Sequence, residues 1–350
     1  MSRERLLTTI AANRGVAEAS PSPFYAALLE RMAQDVRDGG PTWELLAPHA
    51  DEPASEYFPF RALAGVHHEV LAGERPELAR HFPSTGGDGD ADAAWPGVRA
   101  AFAGHDPDVL REMPHALQTN ETSRCGALIG GFCTVAATAG LPLRVLELGA
   151  SGGLNLHFDR YRYEQGGLAL GPADSPIRFT DYWEGGTPPL DAPLEVAERR
   201  GCDLHPLDVT TEHGRIALLS YVWPDEARRF KQLRGAIAVA REAPVVVERA
   251  SADEWIAAQL AGGPAEGRAT VVYHSLFWPY PPQPVRDAIA GTIEDAALAA
   301  TAAAPLAWLR YEPSADASSD VELRLTQWPG GEDRLLGIGG FHEHPVRWLG

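Results

Sequence analysis

Apolar positions change rhythm along this chain near residue 140. Before that point they recur with helical spacing, as in Phe24-Tyr25-Ala26-Ala27-Leu28-Leu29, and no strand pattern emerges. Ser22-Pro23 sets a helix start, with serine as cap and proline in the first turn, and Gly39-Gly40-Pro41 ends that helix. A second helix is expected over residues 61–71, and residues 84–92, rich in Gly and Asp, read as an acidic loop. After Pro142 the rhythm becomes short apolar runs. Arg144-Val145-Leu146-Glu147-Leu148-Gly149 predicts a strand, with others at 195–203, 244–249, 270–274 and 306–311. Helices at 225–241, 252–260 and 285–303 separate several of them, which implies a parallel sheet covered on both faces. Residues 321–327 and 335–341 then form an antiparallel hairpin across Trp328-Pro329-Gly330-Gly331-Glu332-Asp333. The expected architecture is α/β: a helical region over residues 1–140 capping the cleft of a sheet domain over 141–350. Residues 161–193, frequent in Pro and Gly, form an inserted loop in that domain.

Composition narrows the function. With 45% hydrophobic and 22% charged residues, the chain is an ordinary globular protein. Its net charge of -18, from 48 acidic and 30 basic residues, repels phosphate backbones, and no Lys/Arg run offsets it, so nucleic acid is not an expected partner. Cys125, Cys133 and Cys202 cannot all pair and match no zinc spacing, which suits a reducing cytosol. Met1-Ser2-Arg3-Glu4-Arg5 leads into a polar helix without the apolar stretch of a secretory signal, so a cytoplasmic location is expected. Between Arg124 and Arg144 no residue is charged, a length that could span a bilayer. Gly, Ala and Thr dominate it and Gly140-Leu141-Pro142 breaks it, so a buried helix on the sheet is expected and no membrane association.

The candidate chemistry centres on Gly149-Ala150-Ser151-Gly152-Gly153, between the strand at 144–149 and a helix expected from Leu154. A strand, a glycine turn and a helix make an anion-friendly site, because backbone N–H groups face the ligand. The same residues spell Gly-x-Ser-x-Gly, the nucleophile elbow of hydrolases, which would make Ser151 a nucleophile with a downstream His such as His342 or His344. An elbow needs strands before it, and only helices are expected there, so Ser151 reads as a loop residue.

With Glu147 two residues before the first glycine, the segment resembles motif I of class I S-adenosylmethionine-dependent methyltransferases, with Ser151 at the middle glycine. The resemblance implies a Rossmann-like methyltransferase sheet and S-adenosylmethionine held by Glu147, Gly149, Ser151, Gly152, Gly153 and Asn155. Residues 147–156, Glu-Leu-Gly-Ala-Ser-Gly-Gly-Leu-Asn-Leu, also resemble the signature of an uncharacterised bacterial domain-of-unknown-function family. Thr119-Asn120-Glu121 and Asp159-Arg160-Tyr161-Arg162-Tyr163 match two further family segments.

Other residues take roles from their position. Asp203, with Asp208 as the other possibility, ends the second strand, where a carboxylate binds ribose hydroxyls. Asp253 is either an adenine contact, as in the methyltransferases, or a helix-cap carboxylate. His274 ends the fourth strand beside Ser275-Leu276-Phe277-Trp278-Pro279-Tyr280; it is either a base for the methyl acceptor or a buried histidine bonded to backbone. Glu121 is a second catalytic candidate, and Asn120, Arg124 and Tyr280 are assigned to the acceptor. His342-Glu343-His344 and His67-His68 lack the further ligands a metal needs. The expected reaction is methyl transfer to an oxygen or nitrogen of a small molecule. A Ser151 hydrolase and a non-catalytic cofactor-binding protein are the alternatives.

Overall fold

The computed structural model describes residues 2–19, 22–52, 57–104, 120–315, 320–341 and 345–350. His342 and His344 lie outside them, as does Thr119. The chain forms two compact units, Met1–Thr119 with Thr211–Arg234 and Asn120–Thr210 with Gly235–Gly350. The boundary expected at 140/141 thus falls at 119/120, because the helix Cys125–Ala139 packs on the sheet, and residues 211–234 join the first unit.

The first unit is built of helices and the turns between them, with no strand among its described residues. Its helix Pro23–Asp38 buries Phe24, Tyr25, Leu28, Leu29, Met32 and Val36, an i, i+3/i+4 stripe, in a core shared with Phe60, Val66 and Phe102. Gly39, at φ 71°, closes that helix in the left-handed conformation glycine tolerates. The start differs from the expected serine cap. Ser22 makes no side-chain cap bond; its hydroxyl donates to Asp225, and the other Asp225 oxygen accepts from Phe24 N at 2.9 Å. The cap comes from a residue about two hundred positions further along the chain.

The second unit is a mixed α/β structure. Among the described residues its strands are β1 (Leu143–Leu148), β2 (Arg162–Gln165), β3 (Leu168–Leu170), β4 (Arg178–Thr180), β5 (Trp183–Glu184), β6 (Val196–Asp203), β7 (Val247–Arg249), β8 (Ala269–Ser275), β9 (Leu306–Pro313), β10 (Val321–Trp328), β11 (Glu332–Gly339) and β12 (Val346–Trp348). Nine form one sheet in the order β5-β12-β11-β10-β9-β8-β1-β6-β7. The pairs from β7 through β9 are parallel, and β9 to β12 run antiparallel, so the expected hairpin extends to a four-strand meander. The inserted loop expected at 161–193 is instead built from strands: β3-β2-β4 make a small separate sheet, and β5 pairs with β12.

Side-chain alternation sorts β1 between two layers. Leu146 and Leu148 meet Trp255 and Ile256 of the helix Ala252–Leu260 and Ile289 and Ile293 of the helix Gln283–Ala297. On the other face lies the helix Cys125–Ala139, whose Phe132 stacks on Phe158 and meets Tyr273 edge-on. A Cβ on Gly130 or Gly131 would come within 2.3 Å of the Trp348 ring or the Leu309 side chain, so glycine is what lets this helix approach the sheet. The uncharged stretch is thus a buried helix and a strand; among the described residues no helix is long and apolar enough to cross a membrane.

Candidate functional site

Among the five parallel strands, the order β7-β6-β1-β8-β9 is third, second, first, fourth, fifth in chain sequence. Connections leave β1 toward β6 and later resume at β8, so the order reverses between β1 and β8. Open parallel sheets bind ligands outside the carboxyl ends of the strands at such a reversal. Glu147 and the glycine loop stand at that end of β1, and Ser275 at that end of β8.

The loop turns sharply, with Gly149, Ser151 and Gly153 at φ 70°, 52° and 73°. Its N–H groups are spent within the protein. Ala150 N donates to Cys202 O at 2.9 Å and Gly153 N to Ala150 O at 2.7 Å. Ser151 N donates to Asp203 Oδ2 at 2.8 Å, and Gly152 N and Leu154 N both donate to Asn120 Oδ1 at 3.1 Å. The expected anion-friendly turn is therefore closed to a phosphate. The helix expected from Leu154 is a 3-10 stretch, Leu154–Arg160, broken at His157. Two assignments change with this geometry. Asn120, assigned to the acceptor, and Asp203, assigned to ribose, are loop clamps. Asp203 Oδ1 also takes His205 N at 2.9 Å.

The left-handed φ of Ser151 carries a steric cost that glycine lacks. Ser151→Gly is expected to raise stability by about 1 kcal/mol or less, read by thermal unfolding. A fall in stability would mean that the serine side chain, and not the loop's backbone network, holds the turn.

Glu147 is 2% exposed, and its Oε2 has no hydrogen-bond partner among the described residues. Burial, the dominant cause, pushes its pKa from 4.5 up to about 8; Asp203 adds to the rise, while Tyr273, Arg124 and Asn155 ease it down. The Tyr273 hydroxyl is near enough to exert that effect, and it too has no hydrogen-bond partner among the described residues. Asn155, also 2% exposed, accepts from the Cys125 thiol at 3.3 Å. Burial and Glu147 raise the Cys125 pKa, so this thiol is a neutral donor and no nucleophile. Arg124 donates through Nη1 to Ser275 O at 3.0 Å, while its buried Nε has no partner among the described residues. Burial lowers its pKa against the pull of Glu121, Tyr280, Glu312 and Tyr311, but a guanidinium stays charged. Glu121 is buried and accepts Ser123 N at 3.1 Å, capping the turn that presents Arg124. Tyr280 is 65% exposed beside this cluster.

His274 does not face the crevice. Tyr273 is the register partner of Glu147, so the next residue points to the opposite face of the sheet. There the fully buried imidazole stacks on Trp278 at 5.0 Å and 12°. Its Nε2 accepts from Trp308 Nε1 at 3.1 Å, which leaves Nδ1 as the protonated nitrogen, donating to Glu312 Oε1 at 2.6 Å. Both nitrogens are committed, so the expected base is a structural residue. Glu312, which no local pattern singles out, also accepts Phe277 N at 3.0 Å and Trp278 N at 3.2 Å. It holds the segment whose Phe277 lies against Gly149, where a Cβ would come within 2.4 Å of the ring. Asp253 is a first-turn carboxylate of the helix Ala252–Leu260, bonded to the hydroxyl of the N-cap residue Ser251; Asp208 is bonded to Thr210 at an exposed turn. Among the described residues no group of three His, Cys, Asp or Glu could hold a metal.

The site therefore gathers Asn120, Glu121, Arg124, Glu147, the glycine loop, Asn155 and Asp203, borders Tyr280, and leaves out His274. No curated protein and no solved structure matches the chain. One family model does, over residues 10–348, and its description is an uncharacterized protein conserved in bacteria. The chain belongs to that bacterial family, DUF2332.

Proposed function

We propose that the chain is a Rossmann-like class I methyltransferase that binds S-adenosylmethionine at the β1–β8 reversal and methylates an oxygen or nitrogen of a small molecule. The observation that carries this reading is Glu147, a buried carboxyl with an unpartnered oxygen at the carboxyl end of the central strand. The strand order 3-2-1-4-5 supports it, being that of dinucleotide-type sheets. The closed glycine loop favours a ligand whose charge is positive over one that carries phosphates. Glu121 and Asp203 set carboxyls near Arg124 and Glu147, and Glu147, neutral when nothing is bound, can ionise against an incoming cation. When bound, the cofactor supplies an electrophilic methyl group, so the protein's main task is to align the acceptor. Arg124 and Tyr280 border that acceptor. With His274 committed elsewhere, Glu121 is the remaining base.

The Ser151 hydrolase has one observation in its favour, the strained φ of 52° that an elbow requires. Against it, Gly152 N, which would form half of an oxyanion hole, is occupied by Asn120; His342 and His344, the histidines it would use, lie outside the described residues. Calorimetric titration of folded protein tests the choice. S-adenosylmethionine should bind and NAD should not, and Glu147→Ala should weaken binding at least tenfold, about 1.4 kcal/mol. No heat with the cofactor or its demethylated product would remove the reading. Labelling of Ser151 by a fluorophosphonate would install the hydrolase.

A further inference from the structure

The helical unit, Met1–Thr119 with Thr211–Arg234, carries both signs of charge on adjoining surfaces. Residues 227–234, Ala-Arg-Arg-Phe-Lys-Gln-Leu-Arg, hold four cations and no acid in a chain whose net charge is -18. They open the helix Ala227–Glu242, where Phe230 and Leu233 are buried while Arg228, Lys231 and Arg234, each three positions on, are exposed. Lys231 is the chain's only lysine. Arg234 Nη2 donates to Ser84 O at 3.5 Å, and the neighbouring Pro83 lines a groove of about 310 Å³. Pro23 and Phe24 also line it, with the carboxylates of Asp90, Asp92 and Asp225. Asp90 accepts Ala93 N at 2.9 Å, Asp92 accepts Arg31 Nε at 2.8 Å, and Asp225 accepts Phe24 N at 2.9 Å. A carboxylate has about four acceptor positions, so none of the three is saturated.

The size of the groove selects its occupant. It lies at the foot of the range of about 300–1,000 Å³ for small-molecule sites, so it admits one extended side chain or a small amine and no helix. Its apolar wall suits the methylenes of a lysine, and its carboxylates suit the ammonium. Lys231 does not line its own groove. A phosphate-bearing partner of the stripe would meet three carboxylates beside it as well as the field of the whole chain. Two copies of the chain also repel at long range. In contact, however, each sets its stripe on the other's groove about a two-fold axis, so opposite charges meet twice. We propose that two copies pair through the helical unit, Lys231 of each entering the other's groove beside Phe24, Asp90 and Asp92, with Arg228 and Arg234 facing the acidic rim. The inference is independent of the methyl-transfer reading.

Light scattering and sedimentation of the full chain over a range of concentrations should show a reversible dimer. Lys231→Glu and Asp92→Lys, both at exposed positions, should each weaken it at least about tenfold. Circular dichroism checks that both variants fold. An equimolar mixture of the two should dimerise again, because one of its two contacts is native and the other joins the introduced charges, which are opposite. Carbodiimide condenses an amine with a carboxylate. In mixtures of isotope-labelled and unlabelled chain it should join Lys231 of one copy to Asp90 or Asp92 of another, a product made unambiguous by the single lysine. A monomer at every concentration overturns the proposal; if spermidine then raises the thermal midpoint and Asp92→Lys abolishes that rise, the groove takes a small amine instead. A dimer that neither variant weakens, or one that the mixture fails to restore, also overturns it.

Discussion

Replacing Glu312 by Ala is expected to lower stability by about 3–5 kcal/mol, although this residue lies outside the cluster around Glu147. Its carboxylate accepts three hydrogen bonds at once, from His274 Nδ1, Phe277 N and Trp278 N. Removing it strands three donors in a region where His274 is fully buried and Trp278 is stacked upon it. Unpaired buried donors cost about 1–3 kcal/mol each, and the lower half of that range applies to the two partly exposed amides. The imidazole cannot compensate by switching tautomer. Trp308 donates to Nε2, so moving the proton there would set two donors against each other. Glu312→Gln should recover part of the loss, since its carbonyl accepts one or two of the three while its amide NH2 faces the rest. Urea unfolding at neutral pH reads the difference, and near-ultraviolet dichroism follows the Trp278–Trp308 pair. A loss below about 1 kcal/mol for Glu312→Ala would show that the network contributes little and that packing alone holds the segment.

What the sequence made legible follows from range. The strand at β1, the turn after it and the final antiparallel strands are local patterns of apolar alternation and glycine, and each was readable within about ten residues. The glycines of the helix Cys125–Ala139 were equally readable as a buried face, because no charge interrupts them. The clamps were not. Asn120 reaches Gly152 across 32 positions, His274 reaches Glu312 across 38, and Asp203 reaches Ser151 across 52. Such pairs leave no periodic trace, so Asn120 and Asp203 looked like ligand contacts and Glu312 like any strand-end acid. His274 misled for a related reason. Its position at the end of β8 was right, but alternation puts it one residue out of phase with Glu147, on the other face of the sheet. The insertion at 161–193 was hidden by its short strands, two to four residues each, whose glycines and prolines read as loop.

The stability of the ligand-free protein should fall as pH rises from about 4.5 to about 8, and Glu147→Gln should remove that part of the fall. In the folded state Glu147 keeps its proton up to about 8, whereas an exposed carboxyl loses it near 4.5. Between those values the folded chain therefore holds a proton that the unfolded chain has released. Stability rises with pH where the unfolded state binds more protons, so here it must fall. At about 1.36 kcal/mol for each pH unit, the full effect is roughly 4–5 kcal/mol, complete above pH 8 and absent below the unfolded value. Other titrating groups, among them His157 with its pKa lowered by burial to about 4, bend the wild-type curve as well. They are unchanged in the variant, so the difference between the two proteins isolates Glu147. Denaturant unfolding at intervals from pH 4 to 9 should give curves that meet at the acid end and diverge steadily, with the Gln variant the more stable above neutrality. A saturating cation at the site should narrow the gap, because it stabilises the ionised carboxylate that only the wild type has. Parallel curves across the whole range would mean that Glu147 titrates normally and is not the buried, uncompensated carboxyl on which the site is built.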